Sequence, residues 1–452
     1  MRQLMPLARL RRSAWLSLML ACMAASAAQA APPPSLPDIR HYEVRLEPDL
    51  AQKRLSGSET LTLGATPPGA TALVLDAGDL QIDAVRENGR ALAFKKSGGR
   101  LTLQLPAPPP KPGAERRVRI DFHGAPTKGL NFLPEAGQVY TEFSTSQWMP
   151  CVDAPAHRAT LALSLLLPVG WQAVANGQPV RVEPQPGGRV LHRWSLALPM
   201  PSYLYGFAAG RLREVIDDSA APTLRFLAPD SFSEAQLRRI FQDTRATLAF
   251  YAERAGMPYP LPVYSQVLVS GPAAQEMAGF AVMGQGFGQR ALQDPDKTWL
   301  AAHELSHQWW GNAVTNQDWT EFWLNEGLAS FMNAAWFEQR DGRARYDALI
   351  VAARTKYEAV RAAGHDKPLV FPDWDHPTAD DRSLVYDKGA LVVHELRLLM
   401  GEAAFWRGLK AYTQAHWGHS VRSADFRQAM QAETSQDLGG FFARWVDGVT
   451  PR

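Results

Sequence analysis

Trp299-Leu300-Ala301-Ala302-His303-Glu304-Leu305-Ser306-His307-Gln308-Trp309-Trp310-Gly311 places two histidines four residues apart, with a glutamate directly after the first. Asp294 offers a cap, Pro295 suits a first turn and Gly311 suits an end, so this stretch predicts a helix. On a helix, residues four apart share a face. Both imidazoles then point at one spot, where they could chelate a zinc ion. Glu304 is placed to touch a water on that ion rather than the ion itself. The bland alternative is a helix with two partly exposed histidines. With 11 histidines in the chain, H-E-x-x-H arises by chance in about one such chain in a hundred. The other His-Glu pair, His394-Glu395, has Leu398 at the four-on position and makes no chelate.

A zinc that does chemistry keeps three protein ligands and one open position. The next helical run, Thr320-Glu321-Phe322-Trp323-Leu324-Asn325-Glu326-Gly327-Leu328-Ala329, supplies the candidate, with Thr320 as its cap. Eighteen residues, 308–325, separate Glu326 from His307. A connection of about ten residues and an antiparallel second helix would return it to the histidine pair. Glu321 competes, but its first-turn position fits a role complementing the helix dipole.

Outward from this motif the texture changes twice. From about Ile39 to Leu212 the chain alternates polar and apolar residues, as in Tyr42-Glu43-Val44-Arg45-Leu46 and Val118-Arg119-Ile120-Asp121-Phe122, with turn signals at Asn88-Gly89 and Gly98-Gly99. This predicts an antiparallel β domain, with the Pro-rich run 106–112 as a loop or edge. Near residue 230 the pattern switches. Ser231 with Glu234 forms a possible capping box, opening a helix to about Ala255. Short strands are expected around Gln266–Ser270 and Phe280–Met283. Beyond Thr298 nearly everything reads as helix, broken at Gly311, Gly342, Gly364, Gly401 and Gly418.

Composition narrows the function. Of 452 residues 46% are hydrophobic and 20% charged, a globular balance that excludes disorder and coiled coil. Arg2, Arg9, Arg11 and Arg12, a short apolar stretch and Ala28-Gln29-Ala30 read as a secretory signal over residues 1–30, followed by a Pro-rich linker at 31–37. The expected destination is therefore export, periplasmic or secreted. Leu20-Ala21-Cys22 also loosely resembles a lipoprotein cleavage site, which would make Cys22 a lipid anchor. Without the signal's four arginines, the 47 basic residues fall to 43 against 45 acidic ones. That balance gives no electrostatic footprint for nucleic acid. No apolar run is long enough to span a bilayer. Cys151, in an apolar setting, reads as a buried structural thiol.

Taken together, H-E-L-S-H and the W-L-N-E-G-L-A glutamate resemble the aminopeptidase N family of zinc metallopeptidases, the gluzincins. The resemblance extends through Pro150-Cys151-Val152-Asp153-Ala154-Pro155, Pro201-Ser202-Tyr203-Leu204, Gly256-Met257-Pro258-Tyr259-Pro260, Val385-Tyr386-Asp387-Lys388-Gly389-Ala390 and the tail from Leu438 to Pro451. It implies an α+β multidomain chain. An N-terminal antiparallel β-sandwich-like, saddle-shaped domain at 38–215 would precede a mainly helical, thermolysin-like zinc peptidase domain at 216–452. It implies one Zn2+ per chain on His303, His307 and Glu326, with Glu304 as general base and Tyr386 on the oxyanion. The substrate would be a peptide whose free amine meets the loop Ala273–Gly279. There Glu276 and Gly279 match the family's glutamate and downstream glycine, while its first Gly and its Asn are replaced. Glu142 is the nearest candidate for the β-domain amine anchor. The family's large C-terminal helical domain is absent from the sequence. Two other readings stay open: a zinc endo- or oligopeptidase on the same domain, and a non-catalytic peptide-binding relic.

Overall fold

The computed structural model describes residues 38–64, 71–106, 115–371, 374 and 377–448. The expected signal at 1–30, the linker at 31–37, Cys22 and most of the Pro-rich run 106–112 lie outside the described residues. Among those described, no helix is long and apolar enough to cross a membrane.

Strand periodicity builds the first region. In Ile39–Asp49 the residues Ile39, Tyr42, Val44 and Leu46 are buried and most of their neighbours face outward. This strand lies inside an eight-stranded sheet, flanked by Arg54–Leu63 and Arg158–Pro168. A three-stranded sheet (Ala72–Asp76, Arg100–Gln104, Phe94–Ser97) and a four-stranded sheet centred on Gln138–Thr141 and Phe207–Gly210 complete the β region. Their shared core includes Leu61, Leu75, Leu103, Ile120, Trp148 and Leu163. Cys151 is buried in it as a free thiol. The sheet is not wholly antiparallel. His41–Leu46 runs parallel to Thr160–Leu165, which is possible because a long stretch of chain separates the two strands and makes the crossover.

Leu212–Asp217 crosses the expected boundary at residue 215, yet it pairs with Thr223–Pro229 in a different, five-stranded sheet. That sheet continues through Val263–Val269 and Phe280–Gly284 to a short edge strand, Ala274–Gln275. A small apolar layer joins the two regions: Tyr140, Val174 and Ala208 pack with Leu227, Val267 and Phe280.

Helices follow, and glycines end or separate several of them, with positive φ at Gly342, Gly364, Gly401 and Gly418. The helix expected to run to Ala255 is two helices, Glu234–Ile240 and Thr244–Ala255. Its capping box is Ser233 with Gln236, not Ser231 with Glu234: the Gln236 N–H donates to Ser233 Oγ and the Ser233 N–H to Gln236 Oε1. Pairing of Asp294 with Pro295 starts a short 3-10 turn, Pro295–Lys297, and the histidine helix begins only at Trp299. In the same way Asp318, not Thr320, caps a turn ahead of the helix Trp323–Asp341.

Candidate metal centre

The helix Trp299–Ser306 is short and clamped. Tyr251 donates its hydroxyl to the Ala302 carbonyl at 3.1 Å, and Ser306 Oγ donates to the His303 carbonyl at 2.7 Å. Beyond it, the Trp309 indole donates to the Met257 carbonyl and that of Trp310 to Thr413 Oγ1. These anchors fix His303 and His307 one turn apart, their rings 4.6 Å centre to centre.

Three side-chain atoms converge. His303 Nε2 and His307 Nε2 are 3.0 Å apart, and Glu326 Oε2 lies 3.2 Å from the first and 3.4 Å from the second. Two donors each about 2.0–2.1 Å from a tetrahedral zinc stand about 3.3 Å apart, so this triangle is the size of one tetrahedral face. The tautomer is also set. His307 Nδ1–H donates to the Trp310 carbonyl at 3.2 Å, leaving Nε2 as the lone-pair donor. The surrounding carboxyl groups also favour a cation at this point. Glu276, Glu304 and Glu326 are all buried here. Burial lowers the basicity of the His307 ring, but Glu326, Glu276 and Glu304 outweigh it and lift the ring to about 10. Two imidazoles and a carboxylate in a pocket this negative fit Zn2+.

Glu304 and Tyr386 stand around the triangle. Burial holds the Glu304 carboxyl well above the usual carboxylate range, against the opposing pull of His307, and Glu276, Glu326 and Glu142 raise it further. Tyr386 stacks on His303, with ring centres 5.8 Å apart, and its hydroxyl lies beside Glu326. Burial and that carboxylate push the phenol well up, so it stays a hydrogen donor. Tyr386 sits in a π-helical turn, Leu384–Lys388, of a kind that recurs at functional sites. Lys388 fixes this turn by donating to Asp366 at 2.7 Å. Gly327 and Gly389 explain how Tyr386 reaches Glu326. A Cβ on Gly327 would stand 2.9 Å from Gly389 Cα, and one on Gly389 2.7 Å from Gly327 Cα. The two helices therefore meet backbone to backbone at that point.

Glu276 is brought to the same centre. Its Oε1 accepts from Asn325 Nδ2 at 3.3 Å, and burial raises its carboxyl while His307 opposes the rise. Glu142 lies on the cleft wall, accepting the Ala274 N–H at 3.3 Å, and burial raises its carboxyl too. Gly279 does not belong with them. Its N–H is taken by Gln308 Oε1, its carbonyl accepts from the Ser265 N–H, and its φ is +90. Its backbone groups are engaged within the protein, and it is not among the residues that line the cleft. Glu321 is likewise elsewhere, accepting the Ser423 N–H at 3.0 Å.

Several contributors carry no local sequence signal. Gln308 and Asn312, just past the second histidine, donate to the Met277 and Glu276 carbonyls and hold the loop against the metal centre. Tyr203 reaches from the β region to the Gly311 carbonyl at 3.1 Å. Arg158 donates from the same region to the Asn312 carbonyl. The resulting cleft has a volume of about 1390 Å³ and is lined from both regions, including Glu142, Tyr203, Trp299, Glu326 and Tyr386.

With the geometry in hand, comparison with known proteins is direct. Residues 39–204 match the Peptidase M1 N-terminal domain and 240–445 the Peptidase family M1 domain. Probable aminopeptidase 1 of Saccharolobus solfataricus is 26% identical over 439 residues, covering 91% of this chain and 53% of that protein. Leucine aminopeptidase 2 of Aspergillus oryzae is 26% identical, covering 86% of this chain and 66% of that protein. The chain thus spans about half the length of most of the curated relatives it matches. A crystal structure of a Deinococcus radiodurans M1 zinc metallopeptidase variant bound to a Tyr-Ser-Ala substrate superposes with a TM-score of 0.77 at 25% identity. It covers 93% of this chain and 97% of that one.

Proposed function

This chain belongs to peptidase family M1, and from that premise we propose that it is a zinc-dependent aminopeptidase removing the N-terminal residue of peptides. The observation that carries the proposal is the convergence of His303, His307 and Glu326, with Glu304, Tyr386 and Glu276 packed about them, beside a cleft that Glu326, Tyr386 and Glu142 line.

His303, His307 and Glu326 would hold the ion. Zinc bound there supplies a Lewis acid for the scissile carbonyl and lowers the pKa of a water towards neutrality. Glu304, raised by burial, has the affinity to take that water's proton and later to give it to the leaving amine. Tyr386 donates its hydroxyl to the carbonyl oxygen as charge grows there. Glu276 and Glu142 are carboxyls held up by burial, and a substrate ammonium between them would reverse that. Requiring that ammonium confines cleavage to the first peptide bond.

The cleft's size favours a second reading, an endo- or oligopeptidase, since about 1390 Å³ exceeds the usual 300–1,000 Å³ of a small-ligand pocket. One assay separates the two. Purified protein is analysed for zinc and offered aminoacyl nitroanilides beside their N-acetylated forms. One zinc per chain with hydrolysis of the free-amine set alone is expected. Cleavage of the acetylated set would transfer the assignment to an endopeptidase, and zinc without hydrolysis to a binding protein.

The proposal extends to place. Residues 1–30 direct export, with release to the periplasm or medium or tethering through Cys22. The N-terminal sequence of protein recovered from each fraction decides between these.

A further inference from the structure

The loop that carries Glu276 is sewn to the β region at several main-chain positions. Gln138 Oε1 accepts the Ser270 N–H at 2.9 Å, Glu142 Oε1 accepts the Ala274 N–H at 3.3 Å, and the Leu204 carbonyl accepts the Ala278 N–H at 3.1 Å. Gln275 makes two such ties with one side chain. Its Oε1 accepts the Phe143 N–H at 2.7 Å, and its Nε2 donates to the Tyr203 carbonyl at 2.8 Å. It lies on the edge strand Ala274–Gln275 and is wholly buried. A carboxamide so buried is costly unless its oxygen and its nitrogen are both bonded. Here both are, each to the main chain of a different segment of the β region.

What stands beside these ties gives them a consequence. Phe143 follows Glu142, and Gln275 precedes Glu276. Glu142 in turn bonds Ala274, the residue before Gln275. The stretches 142–143 and 274–276 are thus tied twice, side chain to main chain in each direction. Glu276 and Glu142 also act together on one group, both raising the Glu304 carboxyl. The tie holds a strained backbone as well. Phe143 and Ser144 take φ of +50° and +44°, a left-handed pair that residues with side chains rarely adopt. Such conformations persist where the surroundings over-determine them, and they gather at functional sites. Gly129 packs on the same turn: its carbonyl accepts the Glu142 N–H at 3.0 Å, and a Cβ on it would stand 2.6 Å from the Ser144 carbonyl oxygen.

Resting on the aminopeptidase reading and deepening it, we propose that Gln275 is a positioning residue. Its carboxamide fixes where Glu142 stands relative to Glu276, and so sets how tightly the site takes a substrate's free α-ammonium group. Gln275 is not among the residues that line the cleft, so it acts only through the two carboxylates. An ammonium held there is held alike in bound substrate and in transition state. Its loss therefore shows in KM and leaves kcat alone.

The test is a double-mutant cycle on the zinc-loaded enzyme, read with leucyl nitroanilide. Gln275→Met keeps the length of the side chain and removes both ties. It is expected to raise KM about tenfold, with kcat and zinc content unchanged. In a Glu142→Gln background the same substitution should change KM by less than about twofold, because the group it positions is already gone. A merely structural role would lower stability in both backgrounds and give no such difference. Should Gln275→Met fail to fold, Gly129→Ala presses on the same turn and is expected to raise KM in the same way; a KM left at the wild-type value overturns the proposal. So does an equal rise in KM in both backgrounds, or a fall in kcat at constant KM, and each of these leaves the aminopeptidase reading standing. If the wild type hydrolyses no free-amine nitroanilide, or the N-acetylated form equally well, the aminopeptidase reading falls and the role of Gln275 with it.

Discussion

Glu326 and Glu59 are both buried glutamates, at 2% and 1% exposure, one in the helical region and one in the β region. Burial alone pushes each carboxyl up. At Glu326 the two imidazoles more than reverse this and hold it well below the usual range. At Glu59, among the described residues, neither oxygen has a hydrogen-bond partner, and the carboxyl stands well above its ordinary value. Its cross-strand partners are Val44 and Ile120, and the titratable groups that feel it, Tyr42 and Cys151, are themselves pushed up by burial. Burial makes a carboxyl neutral. Convergence of donors onto one point turns the same carboxyl into a ligand.

The largest effect should come from separating ligand from base within the helical region. Glu304→Gln keeps the zinc and lowers kcat by about 10³–10⁴-fold, because only the proton carrier is lost. Glu326→Ala, by contrast, loses the metal. Zinc content measured beside kcat distinguishes them, and retained turnover in Glu304→Gln would break the proposed mechanism. Tyr386→Phe sits next in size, with a fall of about 10²–10³-fold in kcat and little change in KM, since its hydroxyl is needed as the oxyanion forms. A change confined to KM would make Tyr386 a packing residue.

Gly389→Ala tests how the convergence is built. Its Cβ would meet Gly327 backbone at 2.7 Å, where no flexible side chain can yield. The two helices must part, at a cost of about 1–3 kcal/mol in stability, and Tyr386 must move off His303. A lower melting temperature together with lower kcat is expected. An unchanged kcat would show that the glycine contact does not position Tyr386.

The same contrast explains what could be read from the chain alone. His303, His307 and Glu326 were legible because helical periodicity converts sequence spacing into direction, and a metal needs directions. Tyr386 was legible only through its Lys-Gly-Ala neighbours, whose physical roles are now visible: Lys388 pins the turn and Gly389 admits the helix crossing. A motif position says nothing about which way a backbone N–H points, and at Gly279 it points to Gln308. Gln308, Asn312, Asn325 and Tyr203 were missed because each acts on a residue remote in sequence. The helix starts at Asp294 and Thr320 were off because short 3-10 turns use the same capping residues as α-helices. In the β region alternation gave the strands but not their neighbours, so the parallel pair of Ile39–Asp49 with Arg158–Pro168 stayed hidden.

Glu59 gives the smallest and most discriminating prediction, on stability rather than activity. Its folded carboxyl binds a proton more tightly than the unfolded one. Below about pH 4.3, the ordinary glutamate value, both states are protonated and the group is neutral to folding. As pH rises from there towards the folded value, the unfolded state loses its proton first and gains free energy the folded state cannot match. Stability falls by about 1.4 kcal/mol for each pH unit of that window. Glu59→Gln removes the titration while keeping the shape. Its melting temperature should therefore exceed the wild type's at pH 7 and approach it near pH 4, with zinc content unchanged at both. A difference between variant and wild type that does not vary with pH would mean that Glu59 is ionised in the folded chain and has found a partner. The contrast with Glu326 would then be one of partner rather than of charge.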